Sequence, residues 1–309
     1  MNDKGLLAEA SPLGRLVLLI LISFSGVFFV IILGMLLAVP FFGPEAIQMF
    51  LGGGESQFGG NLSFARYLQV LSHLGMFIIP AIVFAWLVGK SPWRYLGTDQ
   101  TPLMRNLILV AILVFVALPL VNFLMNLNEN MALPEFLHRM EAWMRLKEDR
   151  AMAATRLFLE VSGWQALLFN LFMIAVIPAI GEEFVFRGII QKELGRWSGN
   201  MHLAVWLSAA LFSAMHLQFF GFLPRLALGV ILGYQLALTR NIWVPIFAHF
   251  FNNAAAVVVY YLKHNGYITL EIEQVGLGAG AVFYALASLA VIILLLFFLK
   301  PNMNKSISG

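Results

Sequence analysis

Three groups of ionisable or amide side chains stand in stretches otherwise built from apolar residues, and together they could carry acid–base chemistry. The first is Glu182, Glu183 and Arg187, in GEEFVFRG at 181–188. The second is Phe212 and His216 in FSAMH, and the third is His249, Asn252 and Asn253 in HFFNN. Ionisable groups in an apolar surrounding are costly unless paired, so their presence there points to function by default. On a helix Glu183 and Arg187 stand at i and i+4 and can pair along one face. Glu182 is turned away from both. With less compensation, it is suited to act as a general base. His249 and Asn253 also stand at i and i+4, two hydrogen-bond donors on one face; adjacent amides differ by about 100°, which favours Asn253 over Asn252. Amide hydrolysis asks for such a set: a base for water, a partner to hold that water, and donors for the developing oxyanion.

Other chemistry fits some of the same residues. Histidine with carboxylate can bind zinc, although no HExxH occurs. A polar set near the middle of a bilayer also suits proton-coupled transport. A Glu–Arg pair on a helix is often a brace, and a lone histidine in a membrane helix is often a bundle contact. Zero Cys excludes disulfides, Cys-ligated zinc, iron–sulfur clusters and thiol catalysis. The net charge of +3 comes from 19 basic and 16 acidic residues, with no basic patch interleaved with aromatics. Nucleic-acid binding is therefore not expected.

What must position these residues is set by composition. The 309 residues are 61% hydrophobic and 11% charged, against about 25% charged in a soluble domain. Mean hydropathy is +0.85. Lipid must be the solvent for most of the chain. Apolar runs predict spans at Leu16–Val39 (closed by Pro40), Val70–Val88, Leu107–Met125, Trp164–Ile180, His202–Phe220, Leu226–Thr239, Ile242–Leu262 and Gly278–Leu299, the sixth being the shortest. A loop is expected over 41–66, where Pro44, GGG at 52–54 and GG at 59–60 fall. The expected fold is all-α and polytopic, a bundle of about eight transmembrane helices. Residues 126–160 hold eleven charged residues, with Leu137, Met140, Trp143 and Met144 at helical spacing. They predict an amphipathic interfacial helix beginning after Pro134.

Four regions follow: a three-span part at 1–125, the amphipathic segment at 126–160, a core at 161–262 holding all three polar groups, and a last span with its tail at 263–309. Lys4, Arg15, Lys90, Arg94, Arg105, Lys192, Arg196, Arg240, Lys300 and Lys305 fall on one face, ten basic residues against eight on the other. The positive-inside rule places that face, and both termini, in the cytoplasm.

The ordered trio EExxxR, FxxxH and HxxxN resembles the CAAX-protease and bacteriocin-processing (CPBP, or Abi) family of intramembrane proteases, related to the Rce1-type prenyl-protein endopeptidase. Here the trio is Glu182-Glu183 with Arg187, Phe212 with His216, and His249 with Asn253, and the resemblance covers roughly 160–262. It implies a glutamate-dependent endopeptidase with no bound cofactor, zinc being the runner-up. By the same resemblance Glu182 activates the water and His216 helps orient it, His249 and Asn253 stabilise the oxyanion, and Glu183 and Arg187 support the site. The implied partners are a membrane-embedded or membrane-associated peptide or protein substrate and the bilayer itself; the economy of the loops points to a prokaryotic inner membrane as the location. A bacteriocin-immunity or transporter-like protein without catalysis is the alternative of a different class.

Overall fold

The computed structural model describes residues 5–44, 47, 50 and 61–299. Every regular element among them is helical. The principal helices are α1 (Pro12–Phe42), α2 (Leu62–Gly89), α3 (Met104–Val116), α4 (Leu118–Glu129), α5 (His138–Leu159), α6 (Trp164–Ser198), α7 (Met201–Met215), α8 (Phe222–Thr239), α9 (Trp243–His264) and α10 (Ala281–Phe298). The protein is an all-α polytopic membrane protein. Among the described residues six stretches are long and apolar enough to cross a bilayer, and α3 with α4, bent by 43°, makes a seventh if the pair is one span. Pro119 lies at that bend, with no N–H to give the Phe115 carbonyl.

Several boundaries differ from expectation. The short span is the fifth, α7, with 15 residues; the sixth is helical from Phe219 to Thr239. Pro40 does not close α1, which runs on to Phe42 and ends at Gly43 with φ 76°. So near a C-terminus a proline forfeits one hydrogen bond and little more. The loop expected over 41–66 stops sooner, because Asn61 caps α2 by accepting the Phe64 N–H at 3.0 Å. The glycine runs at 52–54 and 59–60, and Lys4, Lys300 and Lys305, lie outside the described residues. The fourth span does not end at Ile180. Instead α6 carries the EExxxR stretch as one helix to Ser198, passing through π-helical turns at Leu171–Val176 and Phe184–Gln191. A third π-helical turn, Leu74–Ile78, lies in α2.

The amphipathic helix is α5, entered through a 3₁₀ turn directly after Pro134. Its less exposed face carries Glu141, Met144, Glu148, Ala151 and Phe158. Met140 and Trp143 of the expected apolar stripe point outward instead, and Trp143 meets Phe219 with ring centroids 5.6 Å apart. The largest core cluster joins Phe77, Ala81, Phe84 and Ala85 of α2 to Ala179 and the Phe184–Phe186 stretch of α6, with Phe212 and Ile246 against them. The outer faces are apolar too. Phe24, Phe28 and Phe29 on α1 and Phe283 and Phe297 on α10 are all exposed, as surfaces wetted by acyl chains must be.

Candidate active site

Glu182 and Glu183 sit between the two π-helical turns of α6 and are buried, 6% and 0% exposed. What lets α2 approach them is Gly181. A Cβ built there would lie 2.9 Å from Phe77 Cβ and 3.0 Å from Ile78 Cγ1, so any side chain would force the two helices apart. At this close approach His73 of α2 reaches the site, its Nε2 3.6 Å from Glu182 Oε1. The other carboxylate oxygen of Glu182 lies 3.9 Å from His249 Nε2. Glu182 is thus flanked by two imidazoles, neither at hydrogen-bonding distance.

Glu183 faces the other way. Its Oε1 accepts from Arg187 at 3.0 Å and meets His249 Nδ1 at 2.8 Å. An ionised Glu183 is an acceptor only, so His249 presents a proton at Nδ1, and its Nε2 is turned toward Glu182. Arg187, 1% exposed, also donates to the Gly229 carbonyl at 3.0 Å. Its guanidinium carbon stands 4.7 Å from the centroid of the Phe212 ring. The Phe212 ring is packed edge-on by Phe186, His216 and His249. It is the hub that spaces the polar side chains.

His216, at the end of α7, places Nδ1 2.9 Å from the Phe212 carbonyl. That carbonyl can only accept, so Nδ1 holds the proton and Nε2 keeps a lone pair. On α9, Asn253 Nδ2 donates to the Ile174 carbonyl at 3.1 Å. Pro178 explains this bond: it has no N–H to offer the carbonyl four residues before it. Asn252 Nδ2 donates to Asn253 Oδ1 at 3.2 Å.

A cavity of about 640 Å³ gathers Glu182, His73, His216, His249, Asn252 and Asn253. Arg225 of α8 and Ala151, Ala154 and Thr155 of α5 complete its wall, while Glu183 and Arg187 lie behind it. The structure therefore brings all three sequence groups together and adds His73, Gln69 and Arg225. His73 carried the same signal as His216, a histidine inside an apolar run. Among the described residues, no group of three or more His, Asp or Glu side chains is arranged to hold a metal ion.

Residues 164–255 match the family described as type II CAAX prenyl endopeptidase Rce1-like. The family resemblance carried by the motifs is thus borne out over that segment, which lies inside the core expected at 161–262. Two proteins of Bacillus subtilis (strain 168) are similar. One, named "Putative membrane peptidase YdiL", is 29% identical over 119 residues, which is 38% of this chain and 48% of that protein. The other, "Uncharacterized protein YpbD", is 27% identical over 89 residues, 28% of this chain and 42% of that protein. The chain thus spans about half the length of the curated relatives it matches. No solved structure matches it.

Proposed function

We propose that this protein is an intramembrane endopeptidase that hydrolyses a peptide bond with water activated by Glu182. The observation that carries the reading is the division of labour between adjacent carboxylates. Glu183 is neutralised by Arg187 behind the cavity wall, whereas Glu182 faces the cavity between two imidazoles. Among the described residues no arginine or lysine pairs with Glu182, so Glu183 is a brace and Glu182 is available as a base. The family description at 164–255 and the peptidase name of one relative support the same class of activity.

In this reading the water sits against Glu182, and the lone pair of His216 Nε2 helps hold it. Attack on the carbonyl carbon of the substrate moves the water's proton to Glu182, which then delivers it to the leaving amine. The oxygen that gains charge is met by His249 Nε2, protonated as the imidazolium opposite Glu183, and by the second amide hydrogen of Asn253. The chemistry needs no bound metal. The substrate is a peptide or protein embedded in or associated with the membrane. Both termini face the cytoplasm, the side on which ten of the basic residues fall. The protein resides in a prokaryotic inner membrane.

Glu182→Gln tests the base directly, by cleavage of a fluorogenic peptide in detergent alongside melting curves. An amide of the same size cannot take the proton. The variant should melt like the parent and lose about 10²–10⁴ in rate. Near-parental turnover in a folded Glu182→Gln protein would end the proposal.

A further inference from the structure

A second cavity, about 740 Å³, takes in Arg187 but not Glu182. Four more cations stand on its wall, Arg94, Lys192, Arg196 and Arg240, and none of the residues lining it is acidic. Two carboxylates close to this wall are already committed. Glu183 accepts from Arg187 at 3.0 Å. Glu193 is fully buried and accepts from the Tyr95 hydroxyl at 2.5 Å, from Arg15 at 3.2 Å, and from Arg196. Lys192 has no carboxylate partner among the described residues. Its Nζ donates to the Tyr95 carbonyl at 2.9 Å and stands 3.8 Å from the centroid of that ring. Arg240 ends α8 in the left-handed conformation with its side chain exposed and unpaired among the described residues. Leu96, Leu236 and Ile242 add an apolar strip to the same wall.

We propose that this cavity binds a phosphate group, either on an anionic lipid headgroup or free in solution. Lys192 and Arg240 bring positive charge to this space that no carboxylate offsets among the described residues, and an anion that enters would meet it. Two flexible cations, a lysine and an arginine fork, match the several oxygens of a phosphate better than the two of a carboxylate. The apolar strip beside them would take the first part of an acyl chain. Basic pockets between membrane helices are a recognised way of holding anionic headgroups. This site does not depend on whether Glu182 activates water, and its test reads binding rather than cleavage.

The experiment is thermal melting of the full chain in neutral maltoside detergent at about 50 mM salt, where surface charges are only partly screened. It is titrated separately with dioctanoyl phosphatidylglycerol, dioctanoyl phosphatidylcholine and inorganic phosphate. The anionic lipid should raise Tm saturably by about 3 °C, and phosphatidylcholine should not. Lys192→Gln with Arg240→Asn should raise the half-saturating concentration about tenfold or more. Asparagine at 240 keeps the left-handed turn, so Arg240→Asn alone serves if the pair fails to fold. A rise with inorganic phosphate as well would make the free anion the ligand and leave the site standing. Equal stabilisation by phosphatidylcholine, or unchanged saturation in the variants, would overturn it.

Discussion

The Glu183–Arg187 pair can be dissected by a double-mutant cycle whose stability and activity arms part company. Glu183→Gln leaves a guanidinium that is 1% exposed with only the Gly229 carbonyl, a neutral amide and the face of Phe212. Breaking a buried pair from one side costs about 3–5 kcal/mol, because the remaining charge stays buried. Arg187→Met does the reverse, leaving the Glu183 carboxylate opposite His249 alone and freeing the Gly229 carbonyl. Each single variant should lose roughly 6–15 °C in Tm. The double variant holds no charge at either position and nearly conserves volume, so its cost should fall to about 1–2 kcal/mol, with a Tm above both singles. Activity should not return with it. His249 Nδ1 would face a neutral amide in place of the carboxylate that holds its ring, and the rate should stay down by about 10² or more. Melting curves and fluorogenic peptide cleavage in the same detergent supply both arms. A double variant that melts at the sum of the single losses, or one that cleaves normally, would refute this account of the pair.

Three further outcomes follow from the same geometry. Gly181→Ala should gain about 1 kcal/mol of helix propensity and lose about 1–3 kcal/mol to overpacking against Phe77 and Ile78; a Tm lowered by a few degrees with kcat down about tenfold would show that helix separation pulls His73 from Glu182, and unchanged kcat would show that His73 is dispensable. Asn253→Asp places a carboxylate oxygen against the Ile174 carbonyl, so it should destabilise by about 1–3 kcal/mol and cut kcat by about 10²–10³, with Asn252→Asp milder on both counts; a fully active Asn253→Asp removes that residue from the oxyanion site. Chelators should leave cleavage unchanged. Stoichiometric zinc in purified protein, with activity lost on its removal, would replace the glutamate mechanism by a zinc peptidase using Glu182, His216 and His249.

Local periodicity carried the legible part of this protein. The i,i+4 spacing of Glu183 and Arg187 forms the ion pair it suggests, and α5 begins where Pro134 and the charge pattern place it. Each apolar run holds a helix, although the one expected over 202–220 stops at Met215 and the one over 107–125 is bent at Pro119. What stayed hidden depends on contacts between distant segments. His73 and Glu182 are 109 positions apart, and nothing in the local pattern says that Gly181 allows their helices to touch. The i,i+4 rule aligned Asn253 with His249 but could not show that Pro178, on another helix, leaves a carbonyl for that amide to satisfy. The continuity of α6 through the EExxxR stretch was equally obscure, since a π-helical turn has no simple residue signature.

Those π-helical turns also explain how a long apolar helix holds two carboxylates at fixed positions. A widened turn weakens the regular ladder and exposes carbonyls that another group must satisfy. Here neighbouring helices do so with side chains: Asn253 of α9 on Ile174, before the carboxylates, and Ser208 of α7 on Phe186, after them, the latter at 2.9 Å. From α6 itself, Arg187 and Gln191 donate outward to the Gly229 and Gly233 carbonyls of α8, each at 3.0 Å. Four side-chain-to-backbone bonds thus tie α6 to three other helices around Glu182 and Glu183. In lipid, where no water competes for these groups, such ties cannot be exchanged cheaply. Rotation of α6 relative to His216 and His249 would break several at once. The irregular backbone that looks like a weakness in the span is what fixes the direction of the Glu182 carboxylate.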